Sequence, residues 1–355
     1  MKKFSLITQF LKIGYYVFIM FAACEVSALC INNQSTERLK NFCFLERHKG
    51  REISPEFARF FDYRLKQAGY ANGIGLSGSV KQNNLDYQLA PVIYYSSNIN
   101  GGNPNKKLIL GNLEFEGDKS LISKKGMLVG GTTGFSGRSI YDEGKFLDYN
   151  FSTSYAHSIN HKIGIFNVYG NICAKNHIKN FWHLDICTNS YRVNKKIIDD
   201  YNQNMSINLT KLFSSLPGYH HEASFGINRK FFKNHSQNQA ILGIENISFS
   251  GISSNLKISS GEKVRNILAL KNAFDWSFSK QMGKNSISLF GSINRLWDGK
   301  IFGQIRNEKS KSINIGYKFS NGVGVTYGIT HVESNIDYYS STNHVFNINF
   351  INFSF

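Results

Sequence analysis

Five cysteines and ten histidines are the residues that could hold a metal or carry covalent chemistry in this chain. Cys30 with Cys43, and Cys173 with Cys187, form two local pairs, while Cys24 stands apart. No CxxC and no clustered His accompany them, so a metal site is disfavoured against two disulfides. Closing a loop of the Cys30–Cys43 size contributes ~3 kcal/mol in the chain-entropy model. Cys173 and Cys187 flank 176–180 and could face each other across a hairpin. The pair His220-His221 and the near pair His157 and His161 lack a matched carboxylate at ligand spacing. They fall at expected strand ends and turns, where solvated positions outweigh catalysis. A hydrolase at a barrel rim would need Ser, His and Asp or Asn groups, and nothing in the spacing selects a set. Gly130-Gly131 and Gly322-x-Gly324 sit in strand-like runs rather than in a phosphate loop. No catalytic, cofactor-binding or metal residue is assigned, and the chain is not read as an enzyme.

These side chains have to be placed by an exported chain. Met1-Lys2-Lys3 is basic, an apolar stretch is cleanest from Ile13 to Ala23, and Val26-Ser27-Ala28 is a small-residue cleavage pattern. Residues 1–28 read as a signal peptide. A transmembrane anchor is the competing reading; Lys12 splits the segment, and the clean part is short for ~30 Å of hydrocarbon. Phe21-Ala22-Ala23-Cys24 resembles a lipobox with Phe in place of the usual Leu, so cleavage after Ala28 is ranked first. An oxidising compartment then permits both disulfides.

The chain has 355 residues, with 18% charged, 14% aromatic, 31 Gly and 4 Pro. Low charge and high aromatic content exclude a disordered chain. A mean hydropathy of −0.28 excludes a bundle of membrane helices. Period-two alternation dominates instead. Leu147, Tyr149, Phe151 and Tyr155 alternate with Asp148, Asn150, Ser152 and Ser154. Ala223, Phe225 and Ile227 oppose Glu222, Ser224, Gly226 and Asn228; Ile313, Ile315 and Tyr317 oppose Ser312, Asn314 and Gly316. Further strands are expected near 84–96, 107–116, 126–140, 162–174, 181–193, 203–213, 238–250 and 345–355, separated by Pro217-Gly218, Gly261-Glu262-Lys263, Asp298-Gly299 and Ser320-Asn321-Gly322.

Three features favour a membrane barrel over a soluble sandwich. The segments have the ~9–11 residues that a tilted transmembrane strand needs. Their polar faces carry Lys, Asp, Glu and Asn, as a wet lumen would. Aromatics recur near segment ends, at Tyr94, Tyr95, Tyr141, Tyr169, Tyr191, Trp276 and Trp297, as interfacial girdles would require. The expected fold is all-β: a transmembrane antiparallel outer-membrane β-barrel of about 14–16 strands over residues 81–355.

Residues 29–80 form a separate N-terminal periplasmic or plug segment. Ser54-Pro55-Glu56 offers an N-cap and a first-turn proline. Phe57, Phe60, Phe61 and Leu65 follow at helical spacing, and Gly69 can end the helix. Residues 71–80 read as a Gly-rich strand.

At the far end, Ile351, Phe353 and Phe355 share one face and resemble the C-terminal signal read by the bacterial barrel-assembly machinery. Phe346, Ile348 and Phe350 occupy the other phase, so a bulge near Phe350 would reconcile the two. Residues 92–102, Val-Ile-Tyr-Tyr-Ser-Ser-Asn-Ile-Asn-Gly-Gly, resemble the segment opening the barrel domain of surface lipoprotein assembly modifiers (Slam). Ser334-Asn335-Ile336-Asp337-Tyr338-Tyr339, followed by Val345 and a final Phe, resembles that domain's last hairpin. Such proteins usually carry a helical-repeat domain ahead of the barrel, whereas residues 29–70 have room for about one helix pair. The resemblance implies a barrel that assists translocation or surface display of a partner protein or lipoprotein, with Asn98, Asn100, Gly101, Gly102, Asn335, Asp337 and Tyr338 on the partner-contact loops.

Net charge separates the remaining options. The chain carries +17; residues 1–28 contain three lysines and one glutamate, so the remainder carries +15. Lys and Arg in a lumen would favour anions, and on loops they would attract lipopolysaccharide phosphates. The alternative function is therefore a passive porin-type channel for small anionic solutes. Outer-membrane lipid and lipopolysaccharide are the expected surroundings, and no basic helix or stacking platform suggests nucleic acid.

Overall fold

Period-two alternation becomes a closed ring of strands. The structure is a computed structural model, and it describes residues 30, 35–48, 54–70, 83–110, 112–301, 303–350, 353 and 354. The proposed signal peptide, the Gly-rich run 71–80, Ile351 and Phe355 lie outside the described residues.

Two helices come first, α1 (Glu37–His48) and α2 (Pro55–Gln67). Among the described residues, fourteen strands of nine or more residues form the barrel wall. They are β1 (Asn83–Ser96), β2 (Gly126–Asp142), β3 (Lys145–Ser158), β4 (Ile163–His177), β5 (Trp182–Asn194), β6 (Asp199–Leu216) and β7 (Tyr219–Phe232). Then come β8 (Ser236–Ser248), β9 (Ile252–Gly261), β10 (Leu270–Met282), β11 (Asn285–Leu296), β12 (Glu308–Lys318), β13 (Gly324–Ser334) and β14 (Ser341–Asn349). Each pairs antiparallel with the next, and β14 returns to β1 with Val92 opposite Asn349 and Ser96 opposite Val345. Closure leaves no open edge, as a backbone in hydrocarbon requires.

The register fixes which face looks where. Ile207, Phe225 and Leu242 point outward and are 56, 50 and 57% exposed. Leu89, Val129, Ile172, Ile186, Ile258 and Ile315 extend the same belt around the ring. An apolar girdle of this extent on a closed barrel is a lipid-facing surface. The opposite phase, with Ser152, Ser154, Ser224, Asn228, Ser312 and Asn314, faces inward. Tyr94 and Tyr191 line an interior cavity, and Tyr169 lies opposite Tyr191 on the same face. These three tyrosines are therefore lumen residues and not part of an interfacial girdle. Sequence position near a segment end does not reveal phase; only the register does.

Tight turns join one end of the barrel. Pro217-Gly218 connects β6 to β7 with Gly218 at φ +86°, a conformation that costs an L side chain energy. Longer connections join the other end, including 97–125, 262–269, 297–307 and 335–340. Residues 107–116, expected as a barrel strand, instead form a small hairpin within the first long loop, Lys107–Leu110 against Leu113–Glu116. Gly299–Ile301 against Gln304–Arg306 forms a similar hairpin leading into β12.

The register changes at the end of the sheet. Asn349 pairs with Val92 and Phe353 with Leu89, so one side advances four residues while the other advances three. The register of Phe353–Ser354 is thus shifted by one residue relative to that of β14.

Candidate functional site: the barrel lumen

Both helices pack into the short-turn mouth, against the inner wall of β2 to β8. α1 begins at Thr36, whose hydroxyl accepts from the Leu39 backbone N–H at 3.3 Å, and Glu37 lies in its first turn. Its apolar stripe buries Leu39, Phe42 and Cys43 against Leu212 and Ile247 of the wall. The Phe42 ring meets Phe181 edge-on at 4.9 Å and His220 at 5.8 Å. α2 ends at Gly69, with φ +81°, and turns Tyr70 back onto Phe146 and Ile140. The sequence indicated α2 but not α1, whose apolar positions are fewer and interrupted by charge.

Polar contacts lock this plug to the wall. Arg38 Nη2 lies 2.8 Å from Asp185 Oδ2 and 2.7 Å from Glu222 Oε1. Its Nε donates to Glu222 Oε1 at 2.9 Å and its Nη1 to Asp185 Oδ1 at 3.0 Å. The Thr36 backbone N–H donates to Glu245 Oε1 at 2.8 Å, and its hydroxyl donates to Glu222 Oε2. One arginine thus faces three wall carboxylates. Burial opposes the Arg38 charge, but Glu222 and Asp185 outweigh it and hold the guanidinium protonated.

A second lock sits beside it. Arg138 of β2 donates from Nη1 to the Ala68 carbonyl at 2.8 Å and pairs with Glu37 Oε2 at 3.0 Å. It also binds Asp148, while its guanidinium lies 4.0 Å over the Phe146 ring. The Tyr70 hydroxyl donates to Glu37 Oε2 at 3.1 Å. Burial, reinforced by Glu37, pushes the Tyr70 phenol above its ordinary range. Lys175 completes the cluster, 2.9 Å from Asp148.

Beyond the plug the lumen is open and mostly neutral. A cavity of about 590 Å³ lies against β1 and β14, lined by Tyr94, Tyr191, Asn167 and Asn347. Another, of about 800 Å³, lies against β6 to β12 and is lined by Asn204, Asn208, Ser224, Asn228, Asn294 and Ser310. Its charged side chains are Lys230, Lys257 and Asp275. Basic residues otherwise gather on the long loops, at Lys106, Lys107, Lys119, Lys125, Lys196 and Lys300. Lys195 in the first cavity, and Lys230 and Lys257 against Asp275 alone in the second, make the lining of these two cavities net positive as well.

The cysteine sulfurs are joined as two local pairs. Cys30 is bonded to Cys43, with Cα atoms 5.9 Å apart, and staples the chain before α1 to the helix itself. Cys173 is bonded to Cys187 directly across β4 and β5, with Cα atoms 4.0 Å apart. His220 accepts or donates to Ser214 at 2.9 Å under the plug; His221 faces the other side, and His161 contacts the Lys125 carbonyl instead of His157. Among the described residues, no three His, Cys, Asp or Glu side chains form a group able to hold a metal.

The partner-contact residues build the long loops. Asn100 is fully buried; its amide donates to the Ile122 carbonyl at 2.7 Å and accepts from Lys124 N–H at 2.8 Å. Asn98 donates to the Gly102 carbonyl at 2.8 Å. Gly101 lies against Ile198, and a Cβ on Gly102 would stand 2.6 Å from the Ile122 carbonyl carbon. Asn335 donates to the Ile305 carbonyl and accepts from Asn307, both at 2.8 Å. Asn105 caps the Asp337 carbonyl at 2.6 Å, and Tyr338 stands edge-on to Tyr339 at 5.1 Å. Asn335 and Asp337 remain on the surface, whereas Asn98 and Asn100 are turned into the loop. Phe353, from the proposed insertion signal, pairs in register with Leu89.

No protein-family model matches the chain, and no curated protein matches it. Solved structures of similar fold include OccAB3 of Acinetobacter baumannii, at 7% identity and a TM-score of 0.41, covering 77% of this chain and 100% of that one. OccK1 (OpdK) of Pseudomonas aeruginosa matches at 7% identity and a TM-score of 0.42, covering 77% and 99%. The likeness is one of barrel architecture.

Proposed function

We propose that this chain is a bacterial outer-membrane channel for small hydrophilic solutes, with one mouth closed by its own N-terminal helices. The observation that carries this reading is an Asn- and Ser-lined lumen ending at a plug held by ion pairs. Hydroxyls and amides exchange hydrogen bonds with passing solutes and water at little net cost. Short turns, the helices and the described segment Phe353–Ser354 share the plugged side, the arrangement of a periplasmic face. The basic long-loop end then meets lipopolysaccharide phosphates, and the final segment around Phe353 presents itself to the barrel-assembly machinery. Liposome swelling with sugars of graded size tests the reading. Uptake that falls with solute size, and rises when the plug is released, supports it; no uptake from either form overturns it.

One observation favours a partner at the surface as a second reading. In the loop hairpin 107–116, Ile109, Leu113 and Phe115 stand 60, 63 and 48% exposed. Leu113 and Phe115 share one face of this hairpin and Ile109 stands on the other, and exposed apolar side chains on a loop suit docking of an exported client protein or lipoprotein, the Slam-like role. Removing that hairpin should abolish surface cross-linking to a client while leaving solute uptake intact.

A further inference from the structure

We infer that the lumen wall of β7, β9 and β10 holds a binding site for a small zwitterion, a free α-amino acid with an apolar side chain. The inference rests on the channel reading and names a solute class for it. Lys230, Lys257 and Asp275 all line the 800 Å³ cavity. Lys257 stands directly opposite Asp275 in the register, and Lys230 lies within electrostatic reach of both. Among the described residues, none of the three side chains has a hydrogen bond or ion pair within the protein. Charges of both signs are thus presented, unanswered, to one space.

Two amide oxygens share that situation. Asn228 is only 5% exposed, lines the cavity, and its Oδ1 has no partner. Asn204 Oδ1, opposite Lys230 in the register, is likewise buried without a donor. A buried acceptor without a donor is costly, so the site is one that a donor-bearing ligand completes. Toward the long loops the same cavity turns apolar, with Phe232, Leu270 and Leu296.

Chemical complementarity then selects among ligand classes. A simple carboxylate suits the lysines but sets a like charge against Asp275. An amine suits Asp275 and the amide oxygens but meets two lysines. A neutral polyol answers neither charge. A zwitterion places its carboxylate on Lys230 and Lys257 and its ammonium toward Asp275 and the amide oxygens, with its side chain on the apolar wall.

The test uses the full folded chain and four probes at pH 7: L-leucine, 4-methylpentanoate, 3-methylbutylamine and glucose. Calorimetry measures binding in detergent, while planar bilayers record current interruptions by the same probes in the Arg38→Ala, Arg138→Ala double variant, whose plug is released. Leucine should bind saturably and at least about tenfold tighter than either of its halves. Lys257→Gln and Asp275→Asn should each weaken leucine by about tenfold, and Asp275→Asn should strengthen 4-methylpentanoate. Equal binding of 4-methylpentanoate and leucine would make this a general anion site and overturn the inference, as would preference for glucose or an absence of saturable heat. Binding without current in the double variant would refute the channel and leave the site standing; steady current from it without binding would do the reverse.

Discussion

Arg38 Nη2 stands 2.7 Å from Glu222 Oε1, joining the first turn of α1 to the seventh barrel strand across 184 positions of sequence. Both side chains are nearly closed to solvent, at 12 and 7% exposure. Removing one partner of such a pair leaves a buried charge uncompensated, which costs roughly 3–5 kcal/mol. Here the loss is larger in kind, because Asp185 and Glu245 lie in the same cluster. Arg38→Ala should therefore release residues 35–70 to protease while the barrel stays folded. Equal protease resistance of wild type and variant would show that the ion pairs do not hold the plug.

Tyr70 gives the plug a dependence on alkaline pH. Its phenol is raised by burial and by Glu37, so the docked state favours the neutral form. A folded pKa above the unfolded value of about 10 contributes fully below that pH and is lost as pH rises further. Plug protection should hold through about pH 9 and decline above about 10, and Tyr70→Phe should flatten this profile. Protease protection followed from pH 8 to 11 in both proteins decides it.

The Cys30–Cys43 staple should matter to docking and not to the barrel. A closed loop of this size restricts the undocked segment by roughly 3 kcal/mol in the entropy model. Cys43→Ser should loosen 35–70, and Cys173→Ser should leave the plug unaffected, as judged by the same proteolysis. Loss of barrel folding in Cys43→Ser would contradict this division.

Phe225 and Ser224 test the assignment of faces. Phe225 points outward on β7, and its neighbour Ser224 lines the lumen. A lysine on the lipid face near midplane costs about 2–4 kcal/mol, while the lumen tolerates charge. Folding into lipid vesicles, followed by denaturant titration, should show Phe225→Lys destabilised and Ser224→Lys near wild type. The reverse ranking would invert the barrel.

The barrel was legible because alternation is a local signal. Leu147 to Tyr155 and Ala223 to Ile227 each declared a lipid face and a wet face within one strand. Phase across strands is not local, which is why Tyr94 and Tyr191 read as girdle residues yet line the lumen. The hairpin 107–116 shows the same limit, since its alternating residues carry no mark of whether a pair joins the main sheet. The plug was legible as a helix from Ser54-Pro55, but its locks were not. Asp185, Glu222 and Glu245 are single acids on their faces, and their partners, Arg38 for the first two and Thr36 for the third, lie 147 or more positions away. That isolation near the short-turn ends was the available clue.

The central claim is a polar channel closed by its own N-terminus, and single-channel conductance in planar bilayers tests it most directly. The full chain should be closed for most of the recording, with rare openings. The double variant Arg38→Ala and Arg138→Ala should show steady openings, because both locks on residues 35–70 are gone. Silence from the double variant, with the barrel verified as folded, would contradict the account, as would a full chain as conductive as the variant.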